Sequence, residues 1–150
     1  MRTFLIIILS SIFFNTYSQE LRSYSFEEVD SLLHTEERPI VVFLHTDWCK
    51  YCLQMENTTF KSDSIINLLN SKYYFISFNA ESKKTILYKG NEFKFIPKGN
   101  GGTHEIALEL GSINGKLSYP SICVINNNNI VYQYGGLMKT EELLTLLNKL

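Results

Sequence analysis

Cys49 and Cys52 flank two residues at the end of an apolar run, in Val41-Val42-Phe43-Leu44-His45-Thr46-Asp47-Trp48-Cys49-Lys50-Tyr51-Cys52. The run up to Trp48 reads as a strand, and a helix-competent segment starts at the first sulfur. A sulfur at a helix N-terminus lies among unpaired backbone N–H groups at the positive end of the helix dipole, which favours thiolate over thiol. The thiolate is the nucleophile, and Lys50 sets a cation beside it. The second sulfur is close enough to displace any partner bound to the first. This pattern points to dithiol–disulfide exchange.

Other uses of the same residues fit less well. A Cys49–Cys52 bridge closes too small a loop to remove much chain entropy, so it is a poor structural staple. His45, Cys49 and Cys52 offer three metal ligands where a structural zinc site wants four, and no metal site is expected. Soft thiolates holding copper(I) or zinc remain the alternative from another class. Cys123, inside Ile122-Cys123-Val124-Ile125, reads as a small buried hydrophobe. His34 and His104 fall near helix ends and read as solvated. The loop Lys98-Gly99-Asn100-Gly101-Gly102 lacks the Lys-Ser/Thr of a phosphate-binding loop and reads as a flexible connector.

The chain has 150 residues, 45% hydrophobic and 19% charged, with a net charge of −1. That suits one globular domain with a real core. No basic stripe exists to bind a phosphate backbone, so nucleic acid is excluded as a partner. Arg2, the apolar run from Phe4 to Phe14 and Thr16-Tyr17-Ser18 form the three regions of a secretory signal peptide. The apolar run is shorter than the roughly 20 residues a membrane-spanning helix needs. Residues 1–18 are therefore expected to be removed near Ser18/Gln19, leaving a domain of residues 19–150, exported and, in a Gram-negative bacterium, periplasmic.

The elements that must position the sulfurs follow from patterning. Ser25-Phe26-Glu27-Glu28 is a capping box opening a helix to about His34. Pro39 to Leu44 is a central strand without alternation, and Cys49 to about Asn57 a helix resumed from Ser64 to Asn70. Tyr73 to Asn79 is a second buried strand. Residues 85–96 read as a hairpin about Lys89-Gly90-Asn91, and His104 to Leu110 as a short helix. Ser121 to Ile125 and Ile130 to Tyr134 form a hairpin, and Thr140 caps a closing leucine-rich helix. A helix between two similar buried strands makes a right-handed parallel crossover, and the last strand pair adds an antiparallel edge. The expected fold is α/β: a three-layer α/β/α sandwich on a mixed sheet, with an inserted β-hairpin.

Over most of residues 25–150 the chain resembles the thioredoxin-like superfamily. Three features in order carry the likeness: Trp48-Cys49-Lys50-Tyr51-Cys52 after a central strand, Tyr119-Pro120 before the second half of the sheet, and Gly135-Gly136 ahead of an amphipathic helix. With its export signal and insertion, it is most similar to exported thiol:disulfide interchange proteins. The resemblance implies that Cys49 is the exposed attacking thiolate and Cys52 the buried resolving thiol. It also implies a cis-Pro120 facing the disulfide, Tyr119 pairing with an extended substrate segment, and Trp48 shielding the sulfurs. Lys50 and Tyr51 would modulate the potential. The only cofactor implied is the redox-active disulfide Cys49–Cys52 itself. One departure stands out: family reductases bury an acid where this chain has Phe43, and spacing leaves His45, Asp47 and Glu56 all open as substitutes.

The expected activity is that of a thiol–disulfide oxidoreductase acting on protein thiols and disulfides. Lys50-Tyr51 matches neither the Gly-Pro of reducing thioredoxins nor the Pro-His of strong oxidants. Residues 19–150 leave no room for the dimerisation domain of an isomerase. The expectation is a monomeric reductase kept reduced by a membrane electron donor, the alternatives being an oxidase or isomerase and a metal carrier with little turnover.

Overall fold

Ile40–His45 forms the central strand β1, and every residue before His45 is buried. The computed structural model that shows this describes residues 19–150, so the expected signal peptide lies outside the described residues. Ahead of β1, helix α1 (Phe26–Leu33) starts at Ser25, whose Oγ accepts the Glu28 N–H while the Glu28 carboxylate accepts the Ser25 N–H. That reciprocal capping box offsets two orphan donors of the helix end.

After β1 come α2 (Lys50–Asn57), a 3₁₀ turn over Thr59–Lys61, α3 (Asp63–Lys72) and β2 (Tyr74–Asn79). An insertion holds β3 (Ile86–Tyr88), β4 (Asn91–Phe93), β5 (Phe95–Lys98) and β6 (Gly101–His104). The chain closes with α4 (Glu105–Gly111), β7 (Ser121–Asn126), β8 (Asn129–Gly135) and α5 (Thr140–Leu147). Strand order in the main sheet is β2-β1-β7-β8, with β1 and β2 parallel and both later pairings antiparallel. This is the expected mixed sheet.

Alternation along the strands divides the core in two. Val42, Leu44, Ile76, Cys123 and Ile125 point to the face covered by Phe26 and Val29 of α1 and Ile106, Ala107 and Leu110 of α4. Val41, Phe43, Phe75, Ile122 and Val124 point to the other, against Met55 of α2, Ile65 and Leu69 of α3, and Leu143 and Leu147 of α5. Helices therefore cover both faces, as the three-layer reading requires.

Three local expectations need correction. The insertion carries two hairpins: β3–β4 turns at Lys89-Gly90, and β5–β6 turns at Gly99-Asn100. The glycine-rich stretch is thus the turn and second strand of a hairpin rather than a connector. Gly99 sits at φ 59°, as the two-residue turn demands, and a Cβ on Gly102 would come within 2.3 Å of the Ile96 carbonyl. His104 is fully buried and not solvated. Its Nδ1 accepts the Ile106 N–H at the start of α4, which leaves Nε2–H to donate to the Lys84 carbonyl. Finally, the cap of α5 is Lys139 and not Thr140; the Lys139 backbone N–H donates to the Glu142 carboxylate.

Candidate active site

Leu44 pairs with Ser121 across β1 and β7, so Tyr119–Pro120 enters the sheet beside the end of β1, where the chain turns into α2. The cysteine pair and the proline, 68 or more residues apart in sequence, are brought to one end of the sheet by this register. The Tyr119–Pro120 peptide is cis.

Cys49 is the N-cap of α2, and its Sγ accepts the Cys52 N–H at 3.1 Å. Its own N–H donates to the Thr46 carbonyl. Cys49 and Cys52 are joined as a disulfide, and Cys123 is free and buried on the other face of the sheet. Cys49 is only 7% exposed and Cys52 1%. The first sulfur is thus less open than expected, because in the disulfide it is tied back over the first turn of α2; it is still the more accessible of the two. The first turn of α2 carries no acidic side chain, and Lys50 is exposed at its first position.

An aromatic rim surrounds the sulfurs. Trp48 is 66% exposed, and its indole N–H donates to the Glu81 carboxylate. It meets Tyr119 edge to face at 6.0 Å. Tyr119 packs in turn on the cluster that holds both cysteines. Burial raises the Tyr119 hydroxyl pKa, and Thr103 of β6 works the other way. Tyr51 and Leu53 of α2 are exposed beside it.

Behind the sulfurs, Phe43 is wholly buried and packs against Phe60 at 4.8 Å and the His45 ring at 5.4 Å. Of the three groups left open as substitutes for a buried acid, Asp47 is exposed and accepts a hydrogen bond from the Asn79 side chain. His45 and Glu56 are brought together: Nδ1 lies 3.9 Å from the Glu56 carboxylate. A cavity of about 300 Å³ is lined by both of them together with Thr46, Cys49, Lys50 and Leu53. Burial lowers the His45 pKa, opposed by Glu56 and then Asp47. Sequence spacing gave no signal for this pairing beyond the shared alternation of Phe43 and His45. Among the described residues no cluster of His, Cys, Asp and Glu is arranged to hold a metal ion. Nor is any described helix long and apolar enough to cross a membrane.

Comparison with known proteins agrees with this architecture. The family model of a thioredoxin-like domain matches residues 26–150. Among solved structures, a thioredoxin from Thermus thermophilus superposes with a TM-score of 0.61 at 19% identity, covering 87% of this chain and 86% of that one. A DsbH oxidoreductase gives 0.59 at 13% identity over 86% and 83% of the two chains. The germline-specific thioredoxin Deadhead of Drosophila melanogaster gives 0.56 at 15% identity over 87% and 97%. At these identities the likeness establishes the fold. No match was found among curated proteins.

Proposed function

The chain belongs to the thioredoxin-like domain family, and on that footing we propose that it is a thiol–disulfide oxidoreductase acting on protein substrates through Cys49 and Cys52. The observation that carries the reading is the disulfide itself: it caps a helix whose first turn holds no carboxylate, inside an exposed aromatic rim. A structural bridge has no use for either feature.

In the reducing direction the Cys49 thiolate attacks a substrate disulfide, forming a mixed disulfide and releasing one substrate thiolate. The Cys52 thiol gives up its proton, its sulfur attacks Cys49 Sγ, and the second substrate thiolate leaves. Two electrons pass to the substrate and the Cys49–Cys52 bond forms. A dithiol donor, in this reading a membrane electron carrier, restores the reduced pair. Trp48, Tyr119 and the buried Pro120 behind them frame the contact surface, with the Tyr119 backbone offered to an extended segment. Lys50 favours the thiolate, and Tyr51 extends the rim.

The reading extends to a monomeric reductase, exported and periplasmic after cleavage near Ser18/Gln19. N-terminal sequencing from the native host is expected to start near Gln19; a cytoplasmic chain starting at Met1 contradicts export. Reduction of insulin or a small disulfide is the direct test of activity, and Cys49→Ser is expected to abolish it. Equilibration with glutathione fixes the direction: a potential near about −200 mV or lower fits a reductase, and one near about −120 mV an oxidase.

A further inference from the structure

Resolving a mixed disulfide moves a proton as well as electrons. The Cys52 thiol must lose its proton as its sulfur attacks Cys49 Sγ, and Cys52 is 1% exposed. Phe43, which shares its buried cluster, has no group to accept that proton. The Cys123 thiol is on the opposite face of the sheet. The groups placed to accept it line the cavity beside Cys49.

We propose that His45, backed by Glu56, is the proton relay of the exchange centre, working through the cavity it shares with Cys49. This inference rests on the exchange reading above. Strand alternation puts His45 on the sheet face of Phe43, under α2. On α2, Cys49, Leu53 and Glu56 fall at i, i+4 and i+7, one stripe of the helix, and all three line the cavity with His45. Cys49 and His45 thus border one space, lined by polar and apolar side chains alike and wide enough for water. Thr46 lines it as well, and its buried hydroxyl has no protein partner.

The charged groups around the ring are Glu56 and Lys50 on α2 and Asp47 on the loop, with uncharged Asn79 opposite His45 on β2. Glu20 and Lys61 line the neighbouring cavity on the far side of Glu56. Burial keeps the imidazole neutral at pH 7, so it can accept a proton, and Glu56 is placed to stabilise the imidazolium that results. Cys52 does not itself line the cavity; its sulfur reaches the edge where it meets Cys49 Sγ, and from there its proton passes through cavity water to His45. The Cys52 sulfur then bonds to Cys49 Sγ, the bond from Cys49 to the substrate sulfur breaks, and the leaving thiolate takes the electron pair. The imidazolium returns its proton to that thiolate or to solvent.

Ellman's reagent isolates the step, since its thiolate leaves without needing a proton. Mixed with the reduced full-length protein, it is expected to release one thiolate as Cys49 attacks and a second as Cys52 resolves. In wild type the second phase is expected to fall off on the acid side as His45 protonates, below its ordinary value of 6.5. His45→Gln is expected to slow that phase at pH 7 by about tenfold or more, and to replace the limb by a steady rise through neutral pH. Glu56→Gln is expected to move the limb to lower pH, and serves on its own should His45→Gln not fold. A second phase with the wild-type profile in His45→Gln, or a limb unmoved in Glu56→Gln, overturns the relay alone. Absence of the second release in wild type overturns the exchange reading beneath it.

Discussion

Cys49 and Cys123 are about as different as two cysteines of one small domain can be, one at the start of a helix and the other inside a strand. Cys123 sits in mid-strand opposite Val42, fully buried among apolar side chains of the face that packs on α1 and α4. Burial alone pushes its thiol up to about 12. Cys49 ends the loop after β1, with the Cys52 N–H on its sulfur and the open end of α2 beneath it. The sulfur atom is the same; the backbone around it decides whether negative charge is tolerated. The helices sharpen the contrast. The other four described α-helices each place an acidic side chain in the first turn: Glu27 and Glu28, Asp63, Glu105, and Glu141 and Glu142. Only α2 has none, and there the Cys49 sulfur takes the place that a carboxylate holds elsewhere.

The largest effect that separates the two environments is loss of turnover. Cys52→Ser is expected to abolish multiple-turnover reduction and to leave Cys49 in stable mixed disulfides, visible as added mass that a strong reductant removes. Adducts on Cys123 instead of Cys49 would break the contrast. Next comes Lys50→Glu, which gives α2 the acidic first turn of its neighbours. The added carboxylate opposes the thiolate, so the Cys49 thiolate titration is expected to move up. Attack on Ellman's reagent at pH 7 is expected to slow by about two- to tenfold. An unchanged rate would mean that the helix end does not set the reactivity of Cys49.

Much of this arrangement was legible in the sequence because its causes are local. Six β-forming residues followed by Trp48-Cys49 give β1 and the start of α2, and Ser25 with Glu28 gives the start of α1. The insertion was read only in part. Lys89-Gly90 between alternating runs marks the first hairpin, but β4 and β5 are short, mostly exposed strands separated by Lys94 alone, and no apolar alternation divides them. The burial of His104 comes from its meeting Phe78 edge to face at 5.1 Å and the Lys84 carbonyl, contacts made across the chain. Likewise, the pairing of His45 with Glu56 depends on how α2 lies on the sheet, which no spacing rule encodes.

The smallest expected effect tests the other side of the comparison. Cys123→Ala removes one buried sulfur and is expected to cost about 1–2 kcal/mol at pH 7, with exchange unchanged. The cost is expected to depend on pH in a known sense. The folded-state pKa of Cys123 is raised from an ordinary 9.0 to about 12, so the folded protein holds a proton that the unfolded chain releases. The stability this group contributes is fully present below pH 9.0 and is lost as pH rises toward about 12. Each pH unit in that window removes about 1.4 kcal/mol from the wild type and nothing from the variant. Tyr88, also raised to about 12, owes this first to burial and then to Asp30, which both proteins keep, and only last to Cys123, so most of its own titration cancels. Denaturant unfolding of the two proteins at pH 7 and pH 10 is therefore expected to show a gap that closes to near zero. A constant gap would mean that the Cys123 thiol ionises as readily in the folded protein as in the unfolded chain, and the contrast with Cys49 would be lost.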